Sequence, residues 1–242
     1  MKASVADLVQ LPGVWRGGEL ELARLPSIPT GHTALDAELP GGGWPMATLS
    51  EVLHDGVGLG EVTLLASAFA RAAEGERLIT WIHPPHLPYA PALEQASLPL
   101  SQCVVVRPAD REDALWAAEQ SLKSGACGAV MLWMEHFAEE YAWLRRLQMA
   151  ANAGRAMAVL FRSTAAERHS SPAHLRIVVS RIGRALEIRI PKRRGPPLEQ
   201  PLRLDLPRAW ERKPAPVQPV PANDPAVFAP AAKRPALHIA AR

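Results

Sequence analysis

Residues 54–63 read His-Asp-Gly-Val-Gly-Leu-Gly-Glu-Val-Thr, a loop in which Gly56, Gly58 and Gly60 alternate with other residues. Glycines at this density let a chain turn sharply from a strand into a helix with its N–H groups facing inward, the backbone half of a phosphate-binding loop. The chemical half is a lysine and a Ser/Thr hydroxyl directly after the last glycine, the first to neutralise phosphate and the second to hold magnesium. With that last glycine set on Gly60, Glu61 stands at the lysine position, Val62 at the hydroxyl position and Asp55 near the first glycine. Two carboxylates replace one cation, which repels a triphosphate, whereas Glu61 in a first helical turn complements the helix dipole. Thr63 could serve as a displaced hydroxyl, but it brings no positive charge.

Other residues with chemical potential are sparse. His83 and His86 lie in the proline-rich loop "TWIHPPHLPY" without a third ligand beside them, so they read as surface residues rather than bases or metal ligands. Cys103 and Cys127 sit in apolar, strand-like runs and read as buried free thiols. No metal site is expected. Charge is unevenly spread: residues 1–161 hold 11 Lys/Arg against 18 Asp/Glu, residues 162–213 hold 13 against 5, and the remainder is slightly basic. Within the basic third, Lys192, Arg193 and Arg194 form one turn, and Arg162 and Arg168 lie in "FRSTAAERHSSPAH". Two readings stand for these cations: contact with phosphate or an acidic partner, or a solvated hairpin end. The 161–174 segment lacks an aromatic on which a base could stack, which weakens independent single-strand binding.

The hydrophobic pattern supplies the elements that must position these residues. Strands are expected at residues 48–53, 77–82, 103–106, 128–133 and 156–161, alternating with helices at 33–39, 60–73, 110–124 and 136–153 and a short one near 90–96. Asp110 with Asp113 three residues on is a cap, and Gly125 and Gly154 are stop signals. Alternation of this kind calls for a doubly wound, mostly parallel α/β sheet. After Arg162, "LRIVVSRI" and "ALEIRIP" read as a hairpin around Gly183 and "PLRLDL" as a further strand, adding an antiparallel edge. Three regions result: an N-terminal segment, 1–25; a core domain, 26–210, with basic C-terminal strands over 174–206; and a proline-rich, disordered tail, 211–242. Most of the seven tryptophans are expected in the core, while Trp210, at the junction with the tail, either packs the last strand or anchors a partner.

"IPTGHTALDAELPGGGWPMATLSEVL" resembles the approach to the nucleotide loop in the bacterial RecA recombinase family, and "ALEIRIPKRRGPPLEQPLRLDL" resembles that family's late strand, basic turn and strand, so that the likeness spans roughly residues 26–206. Together with the loop "GVGLGE" and the ending "PLRLDLPRAW", it resembles the ImuA/SulA family, RecA-like proteins of bacterial mutagenic translesion synthesis grouped with SulA-type cell-division inhibitors. The resemblance implies a RecA-like core in which the catalytic carboxylate falls on Pro85 or a neighbour and the magnesium-positioning aspartate on Trp133 or Met134, with Glu135 one residue out of register. ATP hydrolysis, and tight ATP binding with it, is therefore expected to be lost, leaving no cofactor. The function the resemblance implies is a non-catalytic adaptor in the SOS response. Its partners are an ImuB-type Y-family-like polymerase subunit and an error-prone replicative-type polymerase, with RecA itself and DNA as further candidates. Residues 192–194, Trp210, Arg162 and Arg168 are the candidate contacts. Two other readings stay open: a SulA-like cell-division inhibitor, and a DNA-dependent ATPase using unconventional residues.

The N-terminus carries Asp7 where a signal peptide would be apolar, and the most apolar run, "GACGAVMLWM", is far shorter than a membrane span. A cytoplasmic protein with no membrane contact is expected.

Overall fold

A computed structural model describes residues 26–56, 58–134, 141–183, 185–195, 198 and 200–205. The N-terminal segment, the tail, Trp210, Glu135 and the start of the helix expected at 136 lie outside the described residues. The elements run β1 (Ser27–Ile28), α1 (Thr33–Glu38), β2 (Trp44–Pro45), β3 (Thr48–Leu53), α2 (Glu61–Ala72), β4 (Leu78–Ile82) and α3 (Ala90–Gln95). They continue with β5 (Cys103–Val106), α4 (Arg111–Lys123), β6 (Cys127–Trp133), α5 (Tyr141–Gly154), β7 (Met157–Arg162), β8 (Leu175–Ile182), β9 (Ala185–Lys192) and β10 (Leu202–Asp205). Short 3-10 turns at Leu100–Gln102 and Thr164–Arg168 complete the described chain.

Eight strands form one sheet in the order β10-β9-β8-β3-β7-β6-β4-β5. The pairs from β8 through β3, β7, β6 and β4 to β5 are parallel, and β8-β9 and β9-β10 are antiparallel. This is the mostly parallel sheet with an antiparallel edge that the hydrophobic pattern requires. Alternation along the strands sorts side chains onto two faces. Met157, Val159 and Phe161 of β7 join Leu64, Leu65 and Phe69 of α2 in one core. Ala158 and Leu160 of the same strand join Leu115 and Leu122 of α4 and Leu144 and Leu147 of α5 in the other. Both faces are covered, so β3, β6 and β7 are buried throughout; β6 and β7 read as nearly continuous apolar runs, whereas β3 buries Thr48, Ser50 and Glu51 among its leucines and valine.

Local signals account for the helix boundaries. Asp110 caps α4 by accepting from the Asp113 N–H at 2.8 Å, as its spacing requires. At the crossing of α4 and α5, a Cβ on Gly154 would lie 1.7 Å from the Leu122 carbonyl oxygen, so only glycine fits. Ser27 and Ile28 pair with Pro45 and Trp44, a contact that the hydrophobic pattern does not announce because two-residue strands carry no period.

One expectation about burial is corrected. Cys127 is buried, but Cys103 begins the edge strand β5 and is only half-buried. Burial nevertheless pushes the Cys103 thiol up, its sulfur donating to the Pro99 carbonyl at 3.4 Å. Most of the described tryptophans are core, as expected: Trp44, Trp81 and Trp133 are buried, Trp143 packs partly against the core under the Arg146 guanidinium at 4.0 Å from the ring centroid, and Trp116 on α4 is 49% exposed. Among the described residues no helix is long and apolar enough to cross a membrane.

Candidate functional site: the glycine loop and its clamp

The glycine loop connects the C-terminal end of β3 to α2, where α/β sheets place their ligand sites. Gly56, Gly58 and Gly60 have φ of 106°, 73° and 103°, all left-handed, and Gly60 is the N-cap of α2. The backbone half of a phosphate loop is therefore present. One of its donors is already engaged, because the Glu61 carboxylate folds back and accepts the Gly60 N–H at 2.9 Å while the residue is only 7% exposed. A fixed negative charge thus stands at the helix N-terminus, where a phosphate would otherwise be stabilised. Val62 is half-buried and packs on the core, so it offers no metal-binding oxygen.

Asp55 turns to the opposite side of the loop. It accepts from the Ser163 hydroxyl at 3.0 Å, from the Thr164 N–H at 3.0 Å and from the Thr164 hydroxyl. The Thr164 hydroxyl and N–H hold the Asp55 carboxyl below the usual aspartate range, with a weaker contribution from Ser163. His54 fixes the loop's first bend through an Nδ1 contact to the Gly56 carbonyl oxygen at 2.7 Å. Arg181 of β8 donates to the Leu59 carbonyl at 3.3 Å.

Where a nucleotide-hydrolysing site would carry carboxylates, the strand ends carry rings. Trp133 closes β6, stacked on Phe161 of β7 at 4.4 Å between centroids and on Trp81 of β4 at 5.8 Å, while His54 meets Phe161 and Phe69 meets Trp81 edge-on. Each such pair contributes about 0.5–1.5 kcal/mol beyond its buried area. The ladder joins three strands and α2, but it cannot polarise water. Pro85, His83 and His86 are exposed beyond β4, and no group of three or more His, Cys, Asp or Glu that could hold a metal ion occurs among the described residues.

Beneath the loop lies a charged cluster in the core. Glu51 of β3 is fully buried, in register with Arg176 of β8, whose Nε donates to its carboxylate at 2.8 Å. Arg162, at the end of β7 and 2% exposed, brings a second guanidinium to 3.5 Å, and the Ser171 hydroxyl donates to the other carboxylate oxygen. The remaining Arg176 donors hold the carbonyls of Ala166, Glu167 and His169. The whole 163–171 segment is thereby tied down.

That clamp relocates the expected contact residues. Arg162 is withdrawn from any contact surface because it serves the buried Glu51. Lys192 donates to the Ser171 carbonyl at 2.7 Å, and burial together with the nearby Arg176 lowers its pKa. Arg193 pairs with the Glu38 carboxylate at 2.8 Å and with the Glu38 carbonyl, and Arg194 reaches the His174 ring at 3.3 Å. Arg189 makes a two-point pair with Glu167 at 3.1 and 2.8 Å. Arg168 remains exposed. The basic turn is thus largely a fastening of β9 to α1 and to the 163–174 segment, and the distribution of charge in the sequence could not reveal where its donors point. Glu51 is equally hard to find from the sequence, since its strand, Thr-Leu-Ser-Glu-Val-Leu, already mixes polar and apolar residues and an acid there carries no sign of burial.

The family model of the cell division inhibitor SulA matches residues 49–158, from β3 through the glycine loop, α2, β4 and α5 into β7. It leaves out the basic turn and strands β8 to β10. No curated protein matches the chain.

Both the clamp and the loop ties can be tested in solution. Glu51→Ala leaves two buried guanidiniums without their anion and should cost about 3–5 kcal/mol, read by urea unfolding. An unchanged midpoint contradicts the clamp. The lowered pKa of Asp55 means that its ties to residues 163 and 164 hold above the ordinary aspartate value of about 3.9 and fail as pH falls through the lowered one. Hydrogen exchange at the Thr164 amide should therefore lose protection below pH ~3.9, while the core strands keep theirs.

Proposed function

We propose that the protein is a non-catalytic adaptor, a RecA-like core with a degenerate phosphate loop, that acts in SOS-induced mutagenic translesion DNA synthesis. The observation that carries this reading is the Glu61 carboxylate seated on the Gly60 N–H, which converts a ligand-binding turn into a self-satisfied one. The aromatic strand ends at Trp133 and Phe161 support the absence of hydrolysis. The match to the SulA family model supports a place in the wider SulA/ImuA grouping.

In this reading the partners are an ImuB-type Y-family-like subunit and an error-prone replicative-type polymerase, with RecA and DNA as secondary ones. Contact falls to the exposed Arg168 and to the chain beyond residue 205, because residues 192–194 are engaged internally. The fair truncation is one that spares β10. A chain stopped after residue 205 should fold normally but lose co-purification with the ImuB-type subunit. Retained binding would overturn the assignment of the tail.

The family match itself favours a second reading, in which the core captures the tubulin-like division protein as SulA-type inhibitors do. Filamentous growth on overexpression, with direct binding to that division protein, would favour it over the adaptor reading.

A further inference from the structure

Beside the glycine loop a cavity of about 620 Å³ opens between α2, the ends of β4 and β6, and the 84–98 segment. That volume lies within the range of ligand pockets. Its floor includes Trp81 and Trp133, and its outer wall includes Leu87 and Tyr89, which are 63% and 72% exposed. Exposed apolar side chains grouped around a cavity mark a surface that some segment covers. The Trp133 indole N–H is buried with no acceptor among the described residues, a cost that an occupant's carbonyl would remove. Two carboxylates, Glu61 and Asp205, line the same cavity, so it disfavours anions and favours a cationic, apolar guest.

Asp205 is also the last described residue, so the chain leaves β10 at the lip of this cavity. It continues as Leu206-Pro207-Arg208-Ala209-Trp210-Glu211-Arg212-Lys213, an apolar and cationic stretch complementary to the cavity in both respects. Five residues of extended chain reach about 17 Å, enough to carry Trp210 from the lip into the cavity. We propose that residues 206–213 dock into this cavity in cis, with Trp210 seated over the Trp81–Trp133 floor and Arg208 facing Glu61 and Asp205. The segment would then occupy the mouth of the former nucleotide site. This inference stands on the cavity and the chain's exit point, independently of the partners proposed above.

The test uses the full chain with the photo-crosslinking residue p-benzoylphenylalanine in place of Trp210. Illumination followed by mass spectrometry should give adducts within one chain, on residues 84–96 and on the α2 residues lining the cavity. Ala92→Trp, which fills the cavity, and Arg208→Glu, which places an acid against Glu61 and Asp205, should each lower the yield several-fold without changing the melting temperature. Adducts scattered over other surfaces, covalent dimers from a second copy, or no adduct together with binding of an apolar dye in the cavity would each overturn the proposal.

Discussion

A single buried carboxylate organises the centre of this sheet. Glu51 lies between two guanidiniums contributed by the strands on either side of β3, and all three side chains are buried. Burying charge is expensive, and here the cluster specifies an arrangement more than it stabilises one. The specification propagates outward. Arg176 satisfies Glu51 with one edge and uses its other donors to gather the 163–171 segment; Ser163 and Thr164 hold Asp55, and Asp55 holds the glycine loop. The glycine loop is thereby connected to a fully buried part of the core.

The same logic runs along the strand ends. A hydrolytic site needs carboxylates that are accessible and only partly satisfied, whereas Trp81, Trp133 and Phe161 make these strand ends apolar and stacked. Glu61 completes the conversion, since its charge meets the helix N-terminus from within the chain. On the proposed reading, these features make a glycine turn that serves the fold rather than a ligand. Beside that turn the described residues leave an apolar cavity open.

Much of this is legible in the sequence, for identifiable reasons. The apolar runs of β6 and β7 announce strands covered on both faces, the 3.6-residue period announces α2 and α5, the Asp110 cap and Gly125 stop announce α4, and glycines followed by Glu61 announce a loop without its cation. The destinations of the arginines are not legible. Arg162, Arg193 and Arg194 look like a contact surface when charge is counted along the chain, but their partners Glu51, Glu38 and His174 are distant in sequence and are assembled only by the sheet order. The exposure of Trp116 is hidden for a related reason: its helix has a weak amphipathic pattern, and a tryptophan's size alone does not give its direction.

Glu61 and the aromatic strand ends have, on this view, replaced nucleotide chemistry with internal structure. Equilibrium calorimetry of the full chain with ATP and magnesium, with and without single-stranded DNA, probes that replacement at its source. No saturable heat up to millimolar nucleotide is expected, whereas submicromolar binding would contradict it.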